Sequence, residues 1–146
     1  MLDPSFQHLV IQLHFFSTLL MTGVIWFVQL VHYPSFRFID KGVGQEAAQF
    51  HQRKTGILVI PLMLVEIGTA ILLMGSSWIM LYGTYLWINL GLLFFIWGVT
   101  FLRMVPLHRQ LANRMDDEVI SSLVSTNWIR TILWTMRAGL LLSFLG

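Results

Sequence analysis

Apolar residues gather into four long stretches along the chain, approximately 8–33, 55–75, 85–105 and 126–146, parted by two polar segments and one short uncharged connection. The stretch 55–75 (TGILVIPLMLVEIGTAILLMG) has 21 residues. As a helix it is roughly 31 Å long at ~1.5 Å per residue, about the hydrocarbon thickness of a bilayer. The pattern predicts an all-α fold, an integral membrane, antiparallel four-helix bundle. It uses the whole chain, 1–146, as a single transmembrane domain.

Local signals set the expected boundaries. Asp3, Pro4 and Ser5 read as a helix start, and Pro34 is expected to end the first span by restricting the residue before it. Arg37, Asp40, Lys41 and Glu46 then leave the hydrocarbon, Gly42 and Gly44 mark a turn, and 45–54 (QEAAQFHQRK) reads as a short helix feeding the second span. Pro61 is expected to kink that span. Trp78, Tyr82, Tyr85 and Trp87 form an aromatic girdle at a headgroup boundary. Pro106 follows the third span, Asp116 and Asp117 can cap a helix, and 119–125 (VISSLVS) is amphipathic enough to lie at the interface before the fourth span.

Composition supports the membrane reading. Of the 146 residues 56% are hydrophobic and 11% charged, where a soluble domain carries about 25% charged residues. The absence of cysteine excludes disulfides, thiolate ligands and a cysteine nucleophile. Of the nine basic residues, Arg37, Lys41, Arg53, Lys54, Arg103, Arg109, Arg114 and Arg130 lie at the span ends joined by the two polar segments, and the connection 75–83 has no charge. This asymmetry places both polar segments in the cytoplasm and both termini on the extracytoplasmic side. Such basic residues, interleaved with aromatics, mark a membrane boundary and not a nucleic-acid surface. The opening MLDPSFQ has no basic residue and leads into an apolar run too long for a signal peptide core, so the first span is expected to stay in the mature protein.

Polar residues inside the spans are the candidates for chemistry. His14, Thr18, Thr22, Gln29 and His32 fall on or near one side of the first span, at steps of four, four, seven and three. Glu66 and Arg137 lie near the middle of their spans at matching depth. Burying either alone is unfavourable, so they are expected to pair, as a structural ion pair, a proton-handling acid or a substrate anchor. On the fourth span Asn127, Arg130, Trp134 and Arg137 share a stripe. His32, His51 and His108 meet at the cytoplasmic face, with Arg103, Asn127 and Arg130 in the same layer and Gln29 one turn deeper. Three imidazoles can hold zinc, iron or another borderline metal. His32 and His108, arriving from different helices, can instead ligate a haem axially. The plain alternative is that these histidines bond to loop carbonyls or lipid phosphates. His8 and His14 lie towards the outer face and read as interface residues, with Asn89 the one evident polar neighbour. These positions predict one polar cleft, open to the cytoplasm beside His32 and narrowing towards Glu66 and Arg137. Arginines at its mouth favour an anionic group, and Trp97, Trp134 and nearby leucines an apolar body.

The segments VQLVHYPSF (28–36), FHQRKTG (50–56), PLMLVE (61–66), TFLRMVPLHRQLA (100–112) and TNWIRTILWTMR (126–137) resemble those of a widespread group of small bacterial four-helix membrane proteins of unknown function. That likeness covers nearly the whole chain. TFLRMVPLHRQLA followed by NWIRT is, more distantly, similar to the anthrone-oxygenase-like membrane family, through Pro106, Leu107, Leu111, Asn127 and Arg130. The broader pattern commonly has Asn after its Pro-Leu pair, where this chain has His108. The resemblance implies a multi-pass protein of the bacterial inner membrane and oxygenation of a polycyclic aromatic substrate.

Three classes of function follow. The first is an oxidoreductase acting on a lipophilic or anionic small molecule in the cleft, the second a small transporter or proton-coupled carrier using Glu66 and Arg137. The third is a structural or interaction protein whose polar residues specify packing. Membrane lipids are expected partners in every case, and so few spans make a homodimer plausible.

Overall fold

The computed structural model describes residues 3–143, apart from the side chain of Lys41; residues 144–146 of the expected last span lie outside it. It contains helices α1 (Pro4–Phe27), α2 (Tyr33–Ser35), α3 (Lys41–Met74), α4 (Trp78–Val99), α5 (Val105–Asn113) and α6 (Asp117–Leu142), and no strand among the described residues. Two π turns, Val28–His32 and Thr100–Met104, join α1 to α2 and α4 to α5 without a break. Three helical tracks, Pro4–Phe38, Gly42–Met74 and Trp78–Asn113, are thus long and apolar enough to cross a membrane. The fourth expected span does not reach that apolarity. Asn127, Arg130, Thr131 and Arg137 are built into α6, all buried against the other helices.

Capping explains where the helices begin. Asp3 accepts hydrogen bonds from the backbone N–H groups of Ser5 and Phe6, with Pro4 in the first turn where no donor is needed. Asp40 accepts from Gly42 N, and Asp116 from Val119 N. Asp117 and Glu118 add negative charge to the first turn of α6, where the helix dipole favours it.

Several boundaries differ from expectation, each for a local reason. Pro34 does not end the first span, because helical structure continues to Phe38. Each π turn stands one residue ahead of a proline, Pro34 or Pro106. Tyr33 N–H bonds to the Val28 carbonyl and Val105 N–H to the Thr100 carbonyl, five residues back. The wider turn relieves the ring where it would press on the carbonyl four residues earlier. Gly42 and Gly44 lie in the first turns of α3, and 45–54 continues into the span as one helix of 34 residues that runs on through Pro61. At Gly44 a Cβ would stand 2.8 Å from Met115 Cγ, so the glycine serves close packing and not a turn. The break in α4 is at Tyr82, whose φ of −123° and ψ of 20° are non-helical. Segment 119–125 is the start of α6 itself, since Val119, Ile120 and Leu123 are buried against Tyr33, Phe36, Met104 and Leu111.

The long helices α1, α3, α4 and α6 close a ring in which α1 and α4 each touch both α3 and α6. Its interior is filled at three levels. Val28, Tyr33, Phe36, Met104 and Leu111 pack at the end bearing the polar segments; Met21, Ile25, Met63, Ile96, Leu133 and Trp134 in the middle; and Val10, Ile11, Leu73 and Leu86 at the far end. There, Gln7 Oε1 accepts from Ser77 N at 3.0 Å and from Ser77 Oγ at 2.6 Å, tying α1 to the α3–α4 connection.

Asp116→Ala removes the cap of α6. It should lower the unfolding free energy of the detergent-solubilised protein by about 1 kcal/mol, whereas Glu118→Ala should change it by less than half of that. A denaturant titration of both variants beside the parent makes the comparison.

Candidate functional site

Asn127, Arg130, Trp134 and Arg137 follow one another on α6 at intervals of three, four and three residues, and all are 5% exposed or less. They take part in two separate polar layers.

The mid-helix layer is a closed network. Arg137 Nη1 donates to Glu66 Oε1. Trp134 Nε1 lies 3.1 and 3.2 Å from the two oxygens of the same carboxylate. Arg137 Nε donates to Asn89 Oδ1 at 3.1 Å and Nη2 to Thr18 Oγ1 at 3.4 Å, while Asn89 Nδ2 returns to the Arg137 carbonyl at 3.4 Å. His14 sits between Thr69 Oγ1 at 2.8 Å and Asn89 Oδ1 at 3.4 Å. All four long helices contribute, and none of these side chains has a buried polar atom left without a partner. So connected a network fixes helix register and has no buried polar atom without a partner to call for a ligand.

The second layer, near the polar segments, surrounds a cavity of about 280 Å³. Tyr33, His51, Thr55, Thr100, His108 and Arg130 give it polar walls, and Val24, Ile25, Val28, Val59, Ile60 and Met104 apolar ones. Tyr33 Oη lies 2.9 Å from His108 Nε2, and Thr55 Oγ1 lies 2.9 Å from His51 Nδ1. Arg130 is held from behind. Its Nη1 donates to Asn127 Oδ1 at 3.2 Å, Asn127 Nδ2 to Gln29 Oε1 at 2.9 Å, and Gln29 Nε2 to the Val124 carbonyl at 3.2 Å. Its guanidinium also lies 5.1 Å from the Trp134 ring centroid, a cation–π contact.

Unlike the first layer, this one is unsatisfied. His51, Thr100 and Arg130, residues of the cavity lining, each carry a buried polar atom without a hydrogen-bond partner (Nε2, Oγ1 and Nε), as do His32 (Nε2) and Trp97 (Nε1) outside that lining. Among the described residues the ion pairs are Arg114–Asp116 and Arg137–Glu66, so Arg130 is a buried cation with no carboxylate opposite it. The imidazoles gather here without an acid, and three cations this close would repel strongly. A neutral imidazole can both give and accept a proton.

The predicted continuous cleft is therefore divided. The cavity lining includes neither Glu66 nor Arg137, and Trp134, packed with Ile25, Met63 and Ile96, lies against Arg130 on one side and bonds the Glu66 carboxylate on the other. Gln29 and Asn127 stand behind Arg130, and Arg103 is exposed. His32 lies on the outer side of His51, not on the cavity wall. The metal expectation for His32, His51 and His108 is also corrected: no group of three His, Cys, Asp or Glu among the described residues is arranged to hold a metal ion. The His32 and His51 rings stack at 4.0 Å with 26° between their planes, which sets their nitrogens side by side instead of converging them. The His51 ring also lies 5.6 Å from that of His108, so it contacts both histidines expected to ligate a haem. His14 joins the central network instead of an interface, while His8 remains exposed, edge-on to Trp78.

Sequence reasoning missed Tyr33, Thr55 and Thr100 as cavity residues. The extra residue in the π turn rotates Tyr33 by about 100° from where an uninterrupted α-helix would carry it, so no helical projection of the sequence turns it inward. Thr55 and Thr100 read as ordinary span threonines.

Removing one member of the central pair strands the other. Glu66→Gln and Arg137→Met should each destabilise the solubilised protein by about 3–5 kcal/mol. The double variant should recover part of the sum, which a double-mutant cycle measures. Comparison with family models, with curated proteins and with solved structures finds no match to this chain.

Proposed function

We propose that this is a multi-pass protein of the bacterial inner membrane, an antiparallel four-helix bundle with both termini outside and the cavity near the cytoplasmic face. In this reading it is an oxidoreductase whose lipophilic substrate presents an acidic or electronegative head to His51, His108 and Arg130. One observation carries the binding site: Arg130, 5% exposed and without a carboxylate partner, beside a cavity rimmed by further unpartnered polar atoms. A buried guanidinium in that position calls for negative charge from a ligand.

The chain's own residues supply proton transfer and anion stabilisation. His51, its Nδ1 engaged by Thr55, takes a proton at Nε2 from an acidic phenol or an enolisable C–H group. Arg130, held by Asn127, stabilises the resulting anion, and Tyr33 orients His108. The resemblance to anthrone-oxygenase-like proteins adds the reaction class. A ring methylene and dioxygen give a ring ketone and water, with oxygen as the oxidant. A carrier built on Glu66 and Arg137 has less support, because that network is closed and the cavity lining includes neither residue.

For the site, purified protein is titrated with anthrone and oxygen uptake recorded. His51→Ala and Arg130→Met should each reduce uptake at least tenfold, as loss of a positioned base or an anion donor does. Rates indistinguishable from buffer in the parent protein would reject the oxygenase assignment.

For the orientation, single cysteines are placed in this cysteine-free chain at exposed Ser77 and exposed Glu46. An impermeant maleimide added to cells with a permeabilised outer membrane should label Ser77→Cys and spare Glu46→Cys. The reverse pattern would invert the topology.

A further inference from the structure

A second concavity lies on the outside of the ring, between α1 and α3. It is a groove of about 540 Å³, lined by Leu19, Leu20, Phe27 and Leu58 together with Gly23, and by His32 and Lys54 among its polar residues. The three leucines and Phe27 are 39% to 58% exposed, facing what would be lipid. Groove and cavity share Val24, Val28, His51 and Thr55 in their linings, so these residues border both spaces. Two come from α1 and its π turn, two from α3, and the shared wall is the α1–α3 seam itself.

Two further features bear on what would occupy this pair of spaces. A Cβ built at Gly23 meets nothing within 4 Å, so packing does not require glycine there; its effect is to leave the groove open. The unpartnered atoms around the cavity come from three elements: His51 Nε2 from α3, Thr100 Oγ1 from the second π turn and Arg130 Nε from α6. A ligand with more than one oxygen can answer more than one of these walls. A bare carboxylate fills roughly the space of two waters, about 60 Å³, and would leave most of the cavity against its valine and isoleucine walls empty.

Resting on the ligand-binding reading above, we propose that the ligand is a tailed aromatic of the quinone and quinol class. It has a ring with oxygens at opposite positions and an alkyl or prenyl chain. The ring occupies the cavity with its oxygens at Arg130, His51 and Thr100, and the chain lies in the α1–α3 groove. The molecule reaches the cavity sideways from the bilayer through the seam at Val24, Val28, His51 and Thr55, never passing through water.

The test uses full-length protein in lipid nanodiscs, with empty nanodiscs as the partition control and tryptophan quenching as the readout. The probes are 2,3-dimethoxy-5-methyl-1,4-benzoquinone with and without a decyl chain. The decyl compound should bind about tenfold or more tightly than the tail-less ring, the yield of a few buried methylenes. Gly23→Leu, which fills the groove with a residue α-helices favour, should abolish that advantage and leave the tail-less ring unaffected. Arg130→Met should weaken both. Equal affinity of the two rings, with Gly23→Leu silent, overturns the groove and the sideways route while leaving the cavity reading intact. Decyl binding that Arg130→Met does not change overturns the cavity reading itself. Failure of both rings where palmitate binds overturns the ligand class.

Discussion

The fold turns on one guanidinium. Arg137 reaches from α6 to Glu66 on α3, to Asn89 on α4 and to Thr18 on α1, so a single side chain specifies the rotation of every long helix about the bundle axis. In a bilayer the apolar faces of helices have little reason to prefer one another over lipid, and specificity falls to packing and polar contacts. A register slip that broke this set would leave a charge stranded in a low-dielectric interior, which is far more unfavourable than a lost methyl contact. Arg130 is seven residues away, close to two turns of helix, so the network that fixes Arg137 also determines where Arg130 points.

The two polar layers make opposite use of the same residue types. Around Arg137 each cation, amide and imidazole is answered by another side chain, and Trp134 lends its N–H to complete the carboxylate. Around Arg130 the Asn127 and Gln29 contacts position the guanidinium, while its Nε, the His51 Nε2 and the Thr100 hydroxyl stay unanswered. Trp134 belongs to both. Its indole N–H closes one layer and its ring face meets the cation of the other, so it ties the position of one layer to that of the other.

Much of this was legible in the residues. Spacing on α6 placed Asn127, Arg130, Trp134 and Arg137 on one face, and depth matching paired Glu66 with Arg137. The first-span stripe correctly turned His14, Thr18 and Gln29 inward. What escaped was whatever depends on departures from regular helix. A cleft drawn by extrapolating straight stripes runs unbroken from His32 to Glu66, but Trp134 lies between Arg130 and the Glu66 carboxylate. Histidines counted as ligands by proximity turn out to stack by ring plane, a matter of rotamers that spacing does not encode. Pro34 reads as a terminator because the sequence shows the restriction on the residue before it but not the compensating π turn.

The two π turns have a consequence for how such a chain can vary. Each holds one residue more than the α-helical repeat needs, and each lies between the central network and the residues that follow its proline. Tyr33 and His108, both beyond a turn, are consequently phased apart from His14, Thr18 and Asn89, which precede one. The turns act as mechanical couplings with slack. Substitutions that rotate or shift the pocket end by a fraction of a turn can be absorbed there without twisting the buried ion pair out of alignment. A lineage of such proteins would thus be free to reshape what the pocket accepts while its membrane core stays the same.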